Sequence, residues 1–284
     1  MDSRKMVCRT TESDLLPFLK WPGGKRWFVG KHLSEVPSFG GTYFEPFLGS
    51  ASLFFALRPP KAILSDMNGE LVNVYRVMKS RPHKLFSLLQ GHASKHSEQH
   101  YYSIRADVPK STIEKAARFL YLNRSCFNGI YRVNARGEFN VPKGSKEKII
   151  LDGDDFGAIS KQLRASEICV SDFEAIIDQA QGNDLIFADP PYTVRHNNNG
   201  FRSYNEKLFS WQDQERLAAS LERATKRGAK VIATNANHAS VKELFESHGF
   251  VTHPTSRFSS ISGKGGARKM YEELIIRDAF STNG

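Results

Sequence analysis

The chain has 284 residues, 40% of them apolar, enough to bury a sizeable core, and no low-complexity tract argues for disorder. A formal charge of +10 favours a polyanionic partner, nucleic acid before an anionic membrane surface. Three scattered cysteines (Cys8, Cys126, Cys169) without a CxxC pair argue against a disulfide framework or zinc knuckle; with no apolar run of membrane length and no secretory leader, a cytoplasmic protein is expected.

In chain order, a polar start leads into "FLKWPGGKRW" (18–27), a loop-like segment with two glycines. "TYFEPFLGSASLFFAL" (42–57) predicts a short strand, a turn over Pro46 to Ser50 and an apolar helix. "KAILSD" (61–66) predicts a second strand ending in an acid, and "NGELVNVYRVMK" a helix after it. Residues 83–125 are helical in texture; in "TIEKAARFLYLNRS" Ile113, Ala116, Ala117, Leu120 and Tyr121 share one face. "YRVNARGEFNVPKG" (131–144) carries a hairpin signal with glycine in its turn. Strands are then expected at 168–173, 185–189, 230–236, 249–255 and 272–278. Between them "WQDQERLAASLERATKRG" predicts a helix, with Leu217, Leu221 and Ala224 aligned and Gly228 as its stop. The pattern is α/β, a doubly wound sheet interrupted by an insertion.

The chemistry sits at two strand ends. A strand, a glycine-bearing turn and a helix, followed about twenty residues on by an acid at the next strand end (Asp66), can hold a nucleotide. Alone this is an ordinary turn. The run "LIFADPPYT" (185–193) sharpens it, because an apolar strand stops at two prolines that cannot continue a ladder. The amino nitrogen of adenine or cytosine is a poor nucleophile, since its lone pair is delocalised into the ring. To use it, a site must accept hydrogen bonds from the amino protons and aim the nitrogen at an electrophile. The Asp189 carboxylate and the Pro190 carbonyl suit the first task, and Tyr192 suits stacking on the base.

Together "FLKWPGGK", "YFEPFLGSASLFF", "SDMNGELVNVY", "NGIYRVNARGEFNVPKG", "DPPY", "DQERLA" and "EELIIRD" resemble, in this order, the Dam-type DNA adenine-N6 methyltransferases of the alpha group, D12 class. The resemblance covers nearly the whole chain. It implies a mostly parallel, seven-stranded, Rossmann-like methyltransferase sheet with an inserted helical and β-hairpin target-recognition domain. The divisions would be 1–80 (catalytic, cofactor motifs), 81–150 (target recognition) and 151–284 (catalytic, D-P-P-Y motif). It implies S-adenosylmethionine as cofactor: Trp21 near the adenine, Lys25 nearby, Glu45, Phe47 and Gly49 around the methionine part, Asp66 on the ribose, and Asp172 with Phe173 flanking the adenine. Asp189, Pro190 and Tyr192 would grip the target adenine. One departure is Gly49-Ser50-Ala51, where the family usually has successive glycines; a positive φ at Ser50 would strain the turn locally.

The same resemblance implies double-stranded DNA as partner, a monomer, and a bacterial or phage-encoded enzyme at the nucleoid; a separately acting restriction endonuclease is the further partner of such systems. The base must leave the duplex to reach Asp189. Phe127 is then a wedge, or simply packs the hairpin onto the domain. Asn128 and Ile130 are its neighbours, Arg132 a guanine reader, Pro142 a residue near a base, and Lys20 an alternative guanine contact. In "SSISGKGGARK", Lys264, Arg268 and Lys269 either settle on phosphates or belong to a solvated loop, and 196–201 reads as a loop that could order over a bound base. His92, His96 and His100 could share one helical face as metal ligands do, but no acidic partner sits among them, the reaction needs no metal, and none is expected. The hairpin fits GATC or a longer site containing GAT. A DNA-binding protein that has lost turnover, or an enzyme acting on cytosine N4 or RNA, are the alternatives; Asp189 leans to adenine.

Overall fold

The computed structural model describes residues 15–134, 136–194, 209–258 and 270–279. A seven-stranded sheet is built from β1 (Tyr43–Glu45), β2 (Ala62–Asp66), β3 (Ser166–Val170), β4 (Leu185–Ala188), β5 (Lys230–Ala236), β6 (Phe250–Phe258) and β7 (Met270–Asp278), in the order β3-β2-β1-β4-β5-β7-β6. The first five run parallel, and β7 lies antiparallel to both β5 and β6. The expected α/β fold with a seven-stranded, mostly parallel sheet is therefore present. The chain reverses its winding between neighbours β1 and β4, and the crevice beyond their carboxyl ends is where such sheets receive ligands.

Side-chain alternation divides the interior into two layers. Tyr43, Leu185, Phe187, Ile232 and Ile275 enter one core, while Phe44, Ile186, Ala188, Val231, Ala233, Leu274 and Ile276 enter the other. Helices cover both faces. The first core is covered by α1 (Arg26–His32), α2 (Ser52–Leu57) and α3 (Gly69–Ser80), and it continues into α4 (Pro82–Ala93), α5 (Glu98–Ala106), α6 (Thr112–Ser125) and α7 (Phe156–Leu163). The second lies under α8 (Phe173–Ile177), α9 (Trp211–Lys226) and α10 (Ala239–Ser247). Among the described residues no helix is long and apolar enough to cross a membrane.

Three expectations need correcting. The strand predicted over 168–173 starts at Ser166 and ends at Val170, because Asp172 turns the chain: its carboxylate accepts the Glu174 N–H at 3.0 Å and caps α8. The segment 131–144 does fold back on itself, but with only the isolated bridge Val133–Phe139 rather than two regular strands. Its turn is closed by a side chain, since Asn134 Oδ1 accepts the N–H groups of Arg136 (2.9 Å) and Glu138 (3.0 Å). The three histidines do not share a helix: α4 ends at Ala93, so His92 sits on α4 and His100 on α5, with His96 between. They gather around Tyr121, where His92 Nδ1 lies 3.2 Å from His100 Nε2 and His96 Nδ1 lies 2.8 Å from the Tyr121 hydroxyl. Burial, then the neighbouring His100, pushes the His92 imidazole down to about 4, so that this pair is neutral near pH 7.

The helix α6 was expected to be amphipathic, yet it is buried on every side from Ala116 to Ser125. Its polar residues are therefore ties. Arg118 caps the end of α5 through the carbonyls of Ile104 (2.8 Å) and Arg105 (2.7 Å). Asn123 holds the backbone of Lys20 in both directions, at 3.0 and 2.7 Å. Arg124 pairs with Asp154 and donates to the Phe18 carbonyl at 3.0 Å. One helix thus fixes the segment around "FLKWPGGK" against the residues that close the insertion.

Candidate active site and DNA-facing cleft

A cleft of about 1640 Å³ opens above the carboxyl ends of β1, β2 and β4. Its walls include Trp21, Lys25, Phe47, Gly49, Asp66, Asp172, Phe173, Asp189, Pro190 and Tyr192 from the sheet side, and Ile130 and Arg132 from the insertion. Ten of the eleven residues expected at the cofactor and at the target base thus share one space with two of the expected DNA readers. Glu45 is the eleventh and lies a layer deeper, accepting from the Tyr43 hydroxyl at 3.0 Å. Burial pushes its carboxyl well above the usual carboxylate range, and the nearby Asp189 adds to the effect.

The turn after β1 is shaped by close approach. Gly49 has φ +45°, and a Cβ there would stand 2.9 Å from Trp21 Cδ1, so the indole can lie across the turn only because the side chain is missing. Trp21 is stacked on Tyr131, with ring centroids 5.6 Å apart, and Tyr131 is stacked on Phe119 at 5.0 Å. The Tyr131 hydroxyl donates to Glu70 Oε2 at 2.7 Å, which ties the hairpin to the first turn of α3. The expected departure from successive glycines is accommodated differently from the anticipated way. Ala51, not Ser50, takes the left-handed conformation (φ 52°), and Ser50 Oγ faces Ser52 Oγ at 2.9 Å.

At the end of β2, Asp66 accepts from the N–H of Asn68 (2.9 Å) and, more weakly, Gly49 (3.4 Å); burial pushes its carboxyl up. Phe47 and Phe173 stack on each other, ring centroids 5.4 Å apart and tilted by 26°, and together form an apolar patch on the cleft wall. Arg216 pairs with Asp172 at 2.8 Å and lies 4.8 Å from the Phe173 ring centroid.

Asp189 follows β4 directly. Its Oδ1 accepts from Thr234 Oγ1 at 2.7 Å and lies 2.8 Å from the Lys25 ammonium. Burial pushes this carboxyl up, against the pull of Lys25. Lys25 also donates to the Gly23 carbonyl at 2.7 Å and lies 5.1 Å from the Tyr192 ring centroid. Beyond the tyrosine, Thr193 Oγ1 donates to the Phe209 carbonyl at 2.6 Å, and the Gln214 amide, itself held by Asn235 at 2.9 Å, reaches the Thr193 carbonyl at 3.4 Å. The D-P-P-Y segment is held from three sides, and all of these anchoring side chains are buried.

Thr234, Glu273, Tyr131 and Arg216 were missed by sequence reasoning. A signal existed for two of them. Thr234 is a polar residue inside the apolar run of β5, and strand alternation puts Glu273 on the same face as the buried Ile275. The other two are brought in by tertiary packing.

Among the residues expected to meet DNA, Phe127 stands 46% exposed on a 3-10 turn (Phe127–Gly129), with Asn128 (φ 55°) and Gly129 (φ +66°) in left-handed conformations. Phe127 N–H bonds the Pro142 carbonyl at 2.9 Å, so these two residues, distant in sequence, are adjacent. Exposed Arg132 donates from Nε to Asn140 Oδ1 at 3.0 Å. The Lys20 side chain lies on Gly129, where a Cβ would stand 2.7 Å from Lys20 Cδ. Burial, and after it the neighbouring Lys146, pushes the Lys20 ammonium down to about 8. Lys264, Arg268, Lys269 and residues 196–201 lie outside the described residues.

A sheet of this order, with an acid at the end of its second strand and a D-P-P-Y turn after its fourth, is that of the α/β methyltransferase fold. Comparison with known proteins narrows the class. Residues 21–261 match the family model described as D12 class N6 adenine-specific DNA methyltransferase. The type II methyltransferase M1.LlaDCHI of Lactococcus lactis subsp. cremoris is 35% identical over 93% of this chain and 95% of its own length. The type II methyltransferase M.MjaIII of Methanocaldococcus jannaschii is 33% identical over 93% and 99%, and the DNA adenine methylase of Escherichia coli K12 is 28% identical over 91% and 93%. The chain belongs to the D12 class family and is an adenine-specific DNA methyltransferase.

Proposed function

We propose that this enzyme transfers a methyl group from S-adenosylmethionine to N6 of an adenine swung out of duplex DNA at GATC. The observation that carries the reading is the single cleft joining the Asp66 end, the Asp189 end and the hairpin face. Its walls fit the cofactor: the apolar patch of Phe47 and Phe173 would lie against the adenine, Asp66 would accept from the ribose hydroxyls, and the carboxylates suit a sulfonium cation. When bound, that group supplies an electrophilic methyl carbon.

The protein's part is positioning and electrostatics. Asp189 and the Pro190 carbonyl accept the amino protons, which pulls the N6 lone pair out of conjugation and aims it. With the donor bound, N6 would take its methyl group while the bonding pair stays with the departing thioether, and Asp189 or water would take the proton that N6 sheds. Tyr192 faces the base, Phe127 fills the stack it left, and Arg132, its guanidinium braced by Asn140, reads a guanine. The relatives named as type II methyltransferases support a role beside a separate restriction endonuclease.

Tritium-labelled cofactor offered with duplexes carrying GATC or each single-base variant tests the reading. Label concentrated in GATC is expected, and equal labelling of variants at the outer positions would replace GATC by a looser or longer site. Arg132→Ala should lose about 1–3 kcal/mol of discrimination against a mismatched guanine position. An unchanged preference would remove Arg132 from the reading face.

A further inference from the structure

Glu273 is nearly completely buried in the middle of β7, a strand interior where an ionised carboxylate is costly unless it is paired. It faces the site. Its Oε2 accepts the Tyr192 hydroxyl at 2.7 Å and lies 3.6 Å from Lys25 Nζ, the same ammonium that stands 2.8 Å from Asp189. Two carboxylates therefore share one cation, and the ammonium needs less than about 1 Å of travel to bond the second as well as it bonds the first. Asp189 Oδ1, an oxygen with two lone pairs, already takes Thr234 and Lys25. A target amine that bonds this oxygen, rather than Oδ2 of the same carboxylate, competes with them, and Thr234 is fixed on β5 whereas Lys25 ends a flexible stem.

We infer that Glu273 is a positioning residue of methyl transfer: it receives the Lys25 ammonium as the target amine takes its place on Asp189, and it holds the Tyr192 ring through its hydroxyl meanwhile. The inference rests on the role of Asp189 given above. Charge supports it. Asp189 and Glu273 set two carboxyl groups around the single ammonium of Lys25, an arrangement complementary to the positive charge that N6 carries between bond formation and loss of its proton. Burial, and then the charges of Asp189 and Glu273, push the Tyr192 phenol well above its ordinary value, so it stays protonated and remains a donor. In this arrangement a glutamine at 273 could still accept from Tyr192, but could not take a cation from Asp189.

The test compares Glu273→Gln with the wild-type and Asp189→Asn enzymes in single-turnover methylation of GATC duplexes. The expected result for Glu273→Gln is a fall of tenfold or more in the methyl-transfer rate, with DNA and cofactor dissociation constants within threefold. The acid limb of its pH–rate profile should also move to lower pH, because the Glu273 charge helps push the Asp189 carboxyl up. A Glu273→Gln rate within twofold of wild type, beside an inactive Asp189→Asn, overturns the inference and leaves the site reading intact. Full activity of Asp189→Asn overturns the site reading itself. Should Glu273→Gln fail to fold, a structure of the wild-type enzyme with DNA and a sulfonium analogue decides: Lys25 within hydrogen-bond reach of Glu273 and off Asp189 Oδ1 supports the hand-over, and Lys25 still on Asp189 beside a bound amine refutes it.

Discussion

Single buried residues beneath the cleft carry costs that their surroundings explain. Ala51 occupies the left-handed region, which costs an L-residue about 1–2 kcal/mol. Glycine would relieve that strain, yet it forfeits about 0.8 kcal/mol for a buried methyl and about 0.5–1 kcal/mol in chain entropy. The effects nearly cancel, so Ala51→Gly should leave the urea midpoint almost unchanged, whereas β-branched Ala51→Val should lose more than about 2 kcal/mol. Glu45 makes a sharper case. Its folded carboxyl titrates far above its unfolded one, so between those two values the folded state holds a proton that the unfolded state has lost. Stability must then fall as pH rises from the ordinary carboxylate range, and it stays low above the folded value. Glu45→Gln does not titrate but keeps an acceptor for Tyr43. Calorimetry should find it several degrees more stable than wild type at pH 8, with the gap closing towards pH 4.

At the scale of elements, α6 shows what tertiary structure adds to a sequence pattern. The apolar face from Ile113 to Tyr121 is readable, and all five of its residues are buried. The burial of Arg118, Asn123 and Arg124 is not readable, because a periodicity argument assigns charged positions to solvent. They are inside because each meets backbone groups or an acid from another segment, the preceding helix for Arg118 and more distant stretches for Asn123 and Arg124. Arg124→Met should therefore cost about 3–5 kcal/mol by leaving Asp154 buried and unpaired, and the double variant with Asp154→Asn should cost less than the sum of the two. The strands were readable for the opposite reason: their signal is local alternation bounded by turn residues, and it misplaced mainly the end of β3, where Asp172 caps a helix. The strand ends carrying Asp66 and Asp189 were readable as motifs. Their partners Thr234 and Glu273 come from β5 and β7, joined to the site only by sheet order. Phe127 lies between these cases, since its exposure depends on the left-handed turn at Asn128 and Gly129. Phe127→Ala should leave stability within about 1 kcal/mol, yet lower the fluorescence rise of 2-aminopurine at the target position. An unaltered rise would return the ring to a packing role.

At the scale of the whole molecule, the chain carries a formal charge of +10 while its cleft is lined with several carboxylates, so the net charge favours a polyanion and the cleft favours a cation. Lys20 is one of the positive charges. With its ammonium pushed down to about 8, it is mostly charged at pH 7 and mostly neutral by pH 9 in the free enzyme. For folding the sign is unusual. Between about 8 and the unfolded value of 10.5 the unfolded chain binds the extra proton, so this residue adds stability as pH rises and costs some below 8. For DNA binding the sign reverses, because a nearby phosphate or guanine oxygen restores the charged form and draws a proton from solution. Titration calorimetry at pH 8.5 in buffers of different ionisation enthalpy should report uptake of a fraction of a proton on DNA binding, and Lys20→Met should abolish it. In the wild type the slope of log K against log salt should shrink by up to about 0.9 between pH 7 and 9 if the contact is a phosphate, and stay nearly constant if it is a base. Binding without proton uptake in the wild type would mean that Lys20 faces Gly129 in the complex as it does in the free enzyme, and takes no part in holding DNA.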